Sequence, residues 1–227
     1  MSHSESTSSD NKHPALIRPD YILRTGEIGD NGKPMGADHF NCKNKVVEAM
    51  LVNLYGDPLK TLPIQLFTPI SQAIWTDEAY HPPQMRFVFR VQGLGFKFAY
   101  YTKGAKTTVQ NIKNTLNQVQ AVCGDYAKPV SYLLSVDKRT SKKKKTSYTV
   151  ANLACVWTAD QLKSYADKRN KYAADQMRKR FSEATTLEQI KAVAAHIPAY
   201  LFNEETLAGL RDAYVTHRDQ IRSRIAA

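Results

Sequence analysis

The chain has 227 residues, 42% of them hydrophobic, and a formal net charge of +11. That length and apolar content give one sizeable packed domain, or a domain with a helical appendage, and exclude global disorder. The positive excess favours polyanionic partners, and three scattered cysteines, Cys42, Cys123 and Cys155, exclude a disulfide framework and a zinc finger.

The N-terminal "MSHSESTSSDNKH" lacks an apolar core segment. It is expected to be a flexible tail over residues 1–14, not a secretory signal, which points to the cytoplasm. No apolar run reaches the length of a membrane span. Residues 15–157 read as mixed α and β, and residues 158–227 as helical.

A strand begins at Tyr21 to Arg24, and "DNGKPMG" has turn chemistry. "HFNCKNKVVEAMLVNLYGD" predicts a short strand and then a helix, with Val46, Met50 and Leu54 sharing a face and Gly56 and Pro58 stopping it. "LPIQLFTPI" resumes as a strand. "MRFVFRV" and "GFKFAYYT" form a hairpin around "QGLG": Phe87, Phe89, Phe96, Phe98 and Tyr100 face the core, while Arg86, Arg90, Lys97 and Tyr101 face outward.

Next comes a helix with capping-box spacing at Thr107 and Gln110, carrying Val109, Ile112, Leu116 and Val119 on one face. "PVSYLLSV" and "SYTVANLACVW" are two further strands joined by a basic loop. Beyond Thr158, itself spaced for a capping box with Gln161, only helices are predicted. The first aligns Leu162, Tyr165, Arg169, Tyr172 and Gln176. The second is capped by Thr185 with Glu188, and the third by Asn203 with Leu207, Leu210, Tyr214 and Ile221 inward. The fold class is therefore α+β: a mainly antiparallel sheet with one or two packed helices, followed by a helical C-terminal region.

No phosphate-binding glycine loop or nucleophile elbow is present. Asp38, His39 and Cys42 come nearest to a metal cluster, but a zinc site needs three or four ligands and the rest of the set is missing. The expectation is a protein without catalytic residues, metal or cofactor. The candidate nucleic-acid contacts are Lys138, Arg139, Lys142, Lys143, Lys144 and Lys145 in the basic loop, where lysines act as point charges toward phosphates. Arg90, Lys97 and Tyr101 join them as cations beside an exposed base-stacking ring. The competing reading of the loop is an ordinary solvated hairpin tip.

The order of segments carries a resemblance. "LRTGEIGDNGKPMGADHF", "LYGDPLKTLPIQLF", "FKFAYYTKGAKTTVQNIKNTLNQV" and "GDYAKPVSYLLSVDKRTSKKKKTSYTVANLACVWT" succeed one another from Tyr21 to Thr158. The succession resembles the recombination directionality factor-like proteins of temperate phages and integrative elements. That resemblance implies a non-enzymatic accessory protein of DNA recombination, which binds a large serine integrase and switches it from integration to excision. Some relatives carry a Cys-rich insertion where this chain has "WTDEAYHPPQMRFVFRVQGLG", and the missing cysteines remove the metal expectation. The C-terminal segment is similar to a small helical tail on phage recombination proteins through Leu210, Arg211, Ala213, Tyr214 and Arg218, of which Tyr214, Arg211 and Arg218 become candidate partner contacts. The alternative is a single-stranded DNA-binding or annealing protein of a phage recombination system. It differs in predicting tight, salt-sensitive binding to bare oligonucleotides. Oligomeric state is open.

Overall fold

The computed structural model describes residues 18–28, 34–77, 84–103, 106–125, 127–140 and 147–226. The tail read over residues 1–14 and the loop lysines Lys142 to Lys145 lie outside them. An eight-stranded mixed sheet is formed by β1 (Tyr21–Ile28), β2 (Pro34–Cys42), β3 (Thr61–Gln65), β4 (Ile74–Asp77), β5 (Gln84–Val91), β6 (Lys97–Lys103), β7 (Ser131–Thr140) and β8 (Ser147–Cys155). The strand order is β2-β1-β6-β5-β3-β7-β8, with β4 beside β5. Every pairing is antiparallel except β1 with β6. The helices are α1 (Lys45–Tyr55), the single turn α2 (Ile70–Ala73), α3 (Lys106–Cys123), α4 (Ala159–Glu183), α5 (Leu187–Ala194) and α6 (Glu204–Ala226). The α+β class expected from the sequence is the observed one.

Alternation sets the sheet's inner face. Phe87, Phe89 and Val91 of β5 meet Phe98 and Tyr100 of β6 and Leu62 and Ile64 of β3, all at most 1% exposed. The sheet curls, bringing β2 near β7 and β8, and residues 59 and 60 tie β2 to β7. Phe40 N–H donates to the Leu59 carbonyl at 2.8 Å, and Val136 N–H to the Lys60 carbonyl at 3.0 Å.

Helix α3 seals the last strand in that order. Thr108 and Thr115 lie two turns apart on one helix face. Ala151 N–H donates to Thr108 Oγ1 at 3.0 Å, and Thr115 Oγ1 donates to the Leu153 carbonyl at 2.6 Å. Backbone groups that an edge strand would leave open to another chain are thereby satisfied.

The helices differ from their sequence reading in instructive ways. Helix α1 buries Val47 and Leu51, and Val46, Met50 and Leu54 face solvent at 72, 38 and 55% exposure. Both stripes are apolar at a spacing of four. The Asn44 cap, which accepts from the Val46 and Val47 amides, and the Tyr55 hydroxyl bond to the Gln92 carbonyl fix which one turns inward. In α4 the buried line is Leu162, Ala166, Ala173, Ala174, Met177 and Phe181, while Tyr172 is exposed. The capping box at Thr158 and Gln161 is present. The next one falls a residue later than expected, on Thr186 and Gln189. Asn203 does cap α6, accepting from Thr206 N–H at 2.9 Å. Helix α3 starts at Lys106, so Thr107 sits inside its first turn.

Helix α4 belongs to two cores. Leu162 and Ala166 join the sheet core, whereas Ala173, Ala174, Met177 and Phe181 pack with Ile190, Phe202 and Leu210. At the changeover, Arg169 lies between the rings of Tyr165 and Tyr200, 5.6 and 5.2 Å from their centroids.

Candidate nucleic-acid interface

The β7–β8 hairpin outruns the sheet. Its pairing continues through Lys138 with Thr149, Arg139 with Tyr148 and Thr140 with Ser147. Its neighbour β3 ends where Thr61 meets Ser135. Asp137, Lys138, Arg139, Thr140, Ser147 and Tyr148 are exposed, which makes these residues a two-stranded arm open on both faces. Alternation puts Lys138 on one face and Arg139 with Tyr148 on the other. The arm runs into Lys142, Lys143, Lys144 and Lys145, outside the described residues.

Its root is fastened to α3. Asn111 Nδ2 donates to Asn152 Oδ1 at 2.6 Å, and Asn152 Nδ2 donates to Asp137 Oδ2 at 2.7 Å. With the two threonine bonds, this relay sets the direction of the arm relative to the helix.

The other candidate cations lie elsewhere. Arg90 pairs across the sheet with Lys97 on one side and Gln65 on the other, and Gln65 pairs with Ser131. Lys138 is seven residues along β7 from that row, about 23 Å at the usual rise per residue. Arg90 lies over the Phe67 ring at 5.3 Å, and Lys97 is 3.9 Å from Asp20. Tyr101 is on the same face as both but four residues from Lys97, about 13 Å away. Its cross-strand partner is Arg86, and its hydroxyl donates to Gln84 Oε1 at 2.9 Å. Arg86 pairs in turn with Trp75 of β4, giving a half-buried row Trp75, Arg86, Tyr101. The sequence reading omitted β4, because a four-residue strand directly after a helical turn leaves no pattern long enough to detect.

In the C-terminal helices, Tyr214 packs edge-on against Phe181 at 5.9 Å and is a partly buried member of the second core. Arg211 is exposed, and Arg218 bonds Asp219 at 2.8 Å. Of the three expected partner contacts, Tyr214 holds α6 to α4, Arg211 faces outward, and Arg218 is half-buried.

Asp38 is engaged by Lys60 at 3.0 Å, whose ammonium holds its carboxyl below the usual carboxylate range. Cys42 is 2% exposed, and burial pushes its thiol up, as it does those of Cys123 and Cys155. Among the described residues no group of three or more His, Cys, Asp or Glu side chains could hold a metal ion, and no helix is long and apolar enough to cross a membrane.

Comparison with protein-family models, with curated proteins and with solved structures gives no match for this chain.

Proposed function

We propose that this chain is a non-catalytic accessory protein of site-specific DNA recombination, acting on a large serine integrase as a directionality factor. The arm is the observation that carries the reading. A two-stranded ribbon with Lys138 and Arg139 on opposite faces, leading into four more lysines, suits the phosphates of DNA held by a recombinase. The order of segments that resembles directionality factors supports the integrase as partner. Switching requires differential binding: the chain must prefer the excision-competent integrase–DNA arrangement. Taking that arrangement from 1:99 to 99:1 needs a preference of about 10⁴-fold.

The test uses purified full-length chain and the large serine integrase encoded nearest to it. Recombination is measured in both directions, with binding followed by co-sedimentation with and without attachment-site DNA. The expected result is promoted excision, inhibited integration and tighter binding when DNA is present. No binding in either condition, together with unchanged rates in both directions, would refute the proposal.

A second reading, a single-strand DNA-binding or annealing protein, draws on the row of Trp75, Arg86 and Tyr101, since aromatic rings and guanidinium planes stack bases without regard to sequence. Oligonucleotide binding lost on Trp75→Ala, with no effect on an integrase, would favour it.

A further inference from the structure

We infer that α3 is a base-reading helix for duplex DNA, delivered to the major groove by the basic arm beside it. The inference rests on the DNA-proximal part of the reading above and adds what the arm lacks, since lysines on phosphates position a protein without reading sequence.

The composition of α3 is the first support. Its 18 residues hold no Asp or Glu, and they hold six Asn or Gln together with Lys106 and Lys113. A carboxylate-free face can approach phosphates without repulsion. Side-chain amides are also the groups that pair bidentately with the N6 and N7 edge of adenine.

Position is the second. Gln110, Asn114, Asn117 and Gln118 are all exposed, at steps of four, three and one that place them along one side of the helix. The opposite side carries Val109, Ile112, Leu116 and Val119 into the core. Helix α3 lies along the outer edge of β8, and a helix about 10–12 Å across matches a major groove about 12 Å wide.

The third is the coupling between helix and arm. Asn111, Asn152 and Asp137 link α3 to the residue immediately before Lys138, and Thr108 and Thr115 fix the helix on β8. Reader and phosphate contact are held in one geometry. The +11 charge of the chain complements the same ligand.

The test is selection from a random-sequence duplex DNA library by the full chain at low salt. It is repeated with the variant Gln110→Ala, Asn114→Ala, Asn117→Ala and Gln118→Ala, and with a duplex RNA of mixed sequence as competitor. Alanine favours the helix and all four sites are exposed, so the variant keeps its fold, which circular dichroism verifies. Wild type is expected to enrich an adenine-containing motif, bound about tenfold or more above random duplex, since one good bidentate pair discriminates by about that much. The variant is expected to bind random duplex with the same salt dependence while losing the motif. Selection of no motif, the same motif from the variant, or RNA competing as well as the motif would each overturn the inference. An intact motif without any effect on an integrase would sink the proposed function and leave the helix assignment standing.

Discussion

The contact between the end of α3 and the segment entering α6 can be tested with two glycines. Gly124 follows α3 at φ +65°, and a Cβ there would sit 3.0 Å from the Ala199 carbonyl oxygen and 3.5 Å from Leu201 Cγ. Gly93, in the β5–β6 turn, has φ +77°, but a Cβ there would meet only Tyr55 Oη at an ordinary 3.6 Å. Gly93→Ala therefore measures the left-handed backbone cost alone, about 1–2 kcal/mol. Gly124→Ala adds crowding of a packed segment, about 1–3 kcal/mol more. The segment has little room to yield, because Asn170 Nδ2 holds the Leu201 carbonyl at 2.9 Å and Tyr200 stacks on Phe202 and covers Arg169. For a chain of this length each kcal/mol lowers Tm by about 2–4 °C. Gly124→Ala should thus melt below Gly93→Ala by at least about 2 °C in thermal denaturation followed by far-UV circular dichroism. Equal losses, or a larger loss at Gly93, would show that the 199–201 segment does not press on the end of α3.

Tyr132 is fully buried, and its hydroxyl has no hydrogen-bond partner among the described residues. Tyr132→Phe should stabilise by about 1–2 kcal/mol, because an unsatisfied buried hydroxyl costs that much; a loss of stability in urea titration would reveal a bridging group. Burial also raises Tyr132 and Tyr100 above the ordinary tyrosine value of 10, and the three thiols above 9. These groups hold their protons more tightly folded than unfolded. Their contribution is complete below about pH 9 and falls as pH rises past the unfolded values of the thiols and then the tyrosines. Stability in urea should be flat from pH 7 to 8.5 and decline above pH 9; a rise there contradicts the burial of these groups.

The sheet was legible where alternation was strong and both faces had a clear character. Phe87, Phe89, Phe98 and Tyr100 announce their side, and Leu134 and Val136 announce theirs. Helices were harder, for two physical reasons. Helix α1 carries apolar residues at 46, 50 and 54 and again at 47 and 51, and periodicity cannot choose between stripes of equal spacing. Half of the residues that helix α4 buries are alanines, Ala166, Ala173 and Ala174, which contribute little to an apolar pattern but let helices approach closely. The larger Tyr172 drew the predicted stripe onto a solvent face. For the site, the sequence located the basic hairpin and the outward Arg90, Lys97 and Tyr101. It could not say that strand register separates them, because register depends on partners remote in sequence. The exposed amides of α3 were present in the same quoted segment as its core residues. Reading them as a surface required knowing that α3 lies on the outer edge of β8.

Residue 158, where the sequence divides the chain, does not divide its cores. The strands do end there, but the first two turns of α4 complete the sheet core. Leu162 is 7% exposed, its carbonyl accepts from the Cys123 Sγ at 3.7 Å, and Trp157 packs edge-on to Tyr165 at 5.6 Å. A cut at this point would uncover Cys123 and Tyr132, both now fully buried. The rest of α4 then supplies the wall on which α5 and α6 assemble. One unbroken helix, with Arg169 clamped between Tyr165 and Tyr200 at its midpoint, therefore sets the angle between the edge bearing α3 and the arm and the helices bearing Arg211 and Arg218. Under the function proposed above, such a fixed angle is what would let the chain favour one arrangement of an integrase on DNA. Were the two proposed contact surfaces joined by a flexible linker, they would accommodate either arrangement about equally, and a ligand with equal affinity for two states shifts neither.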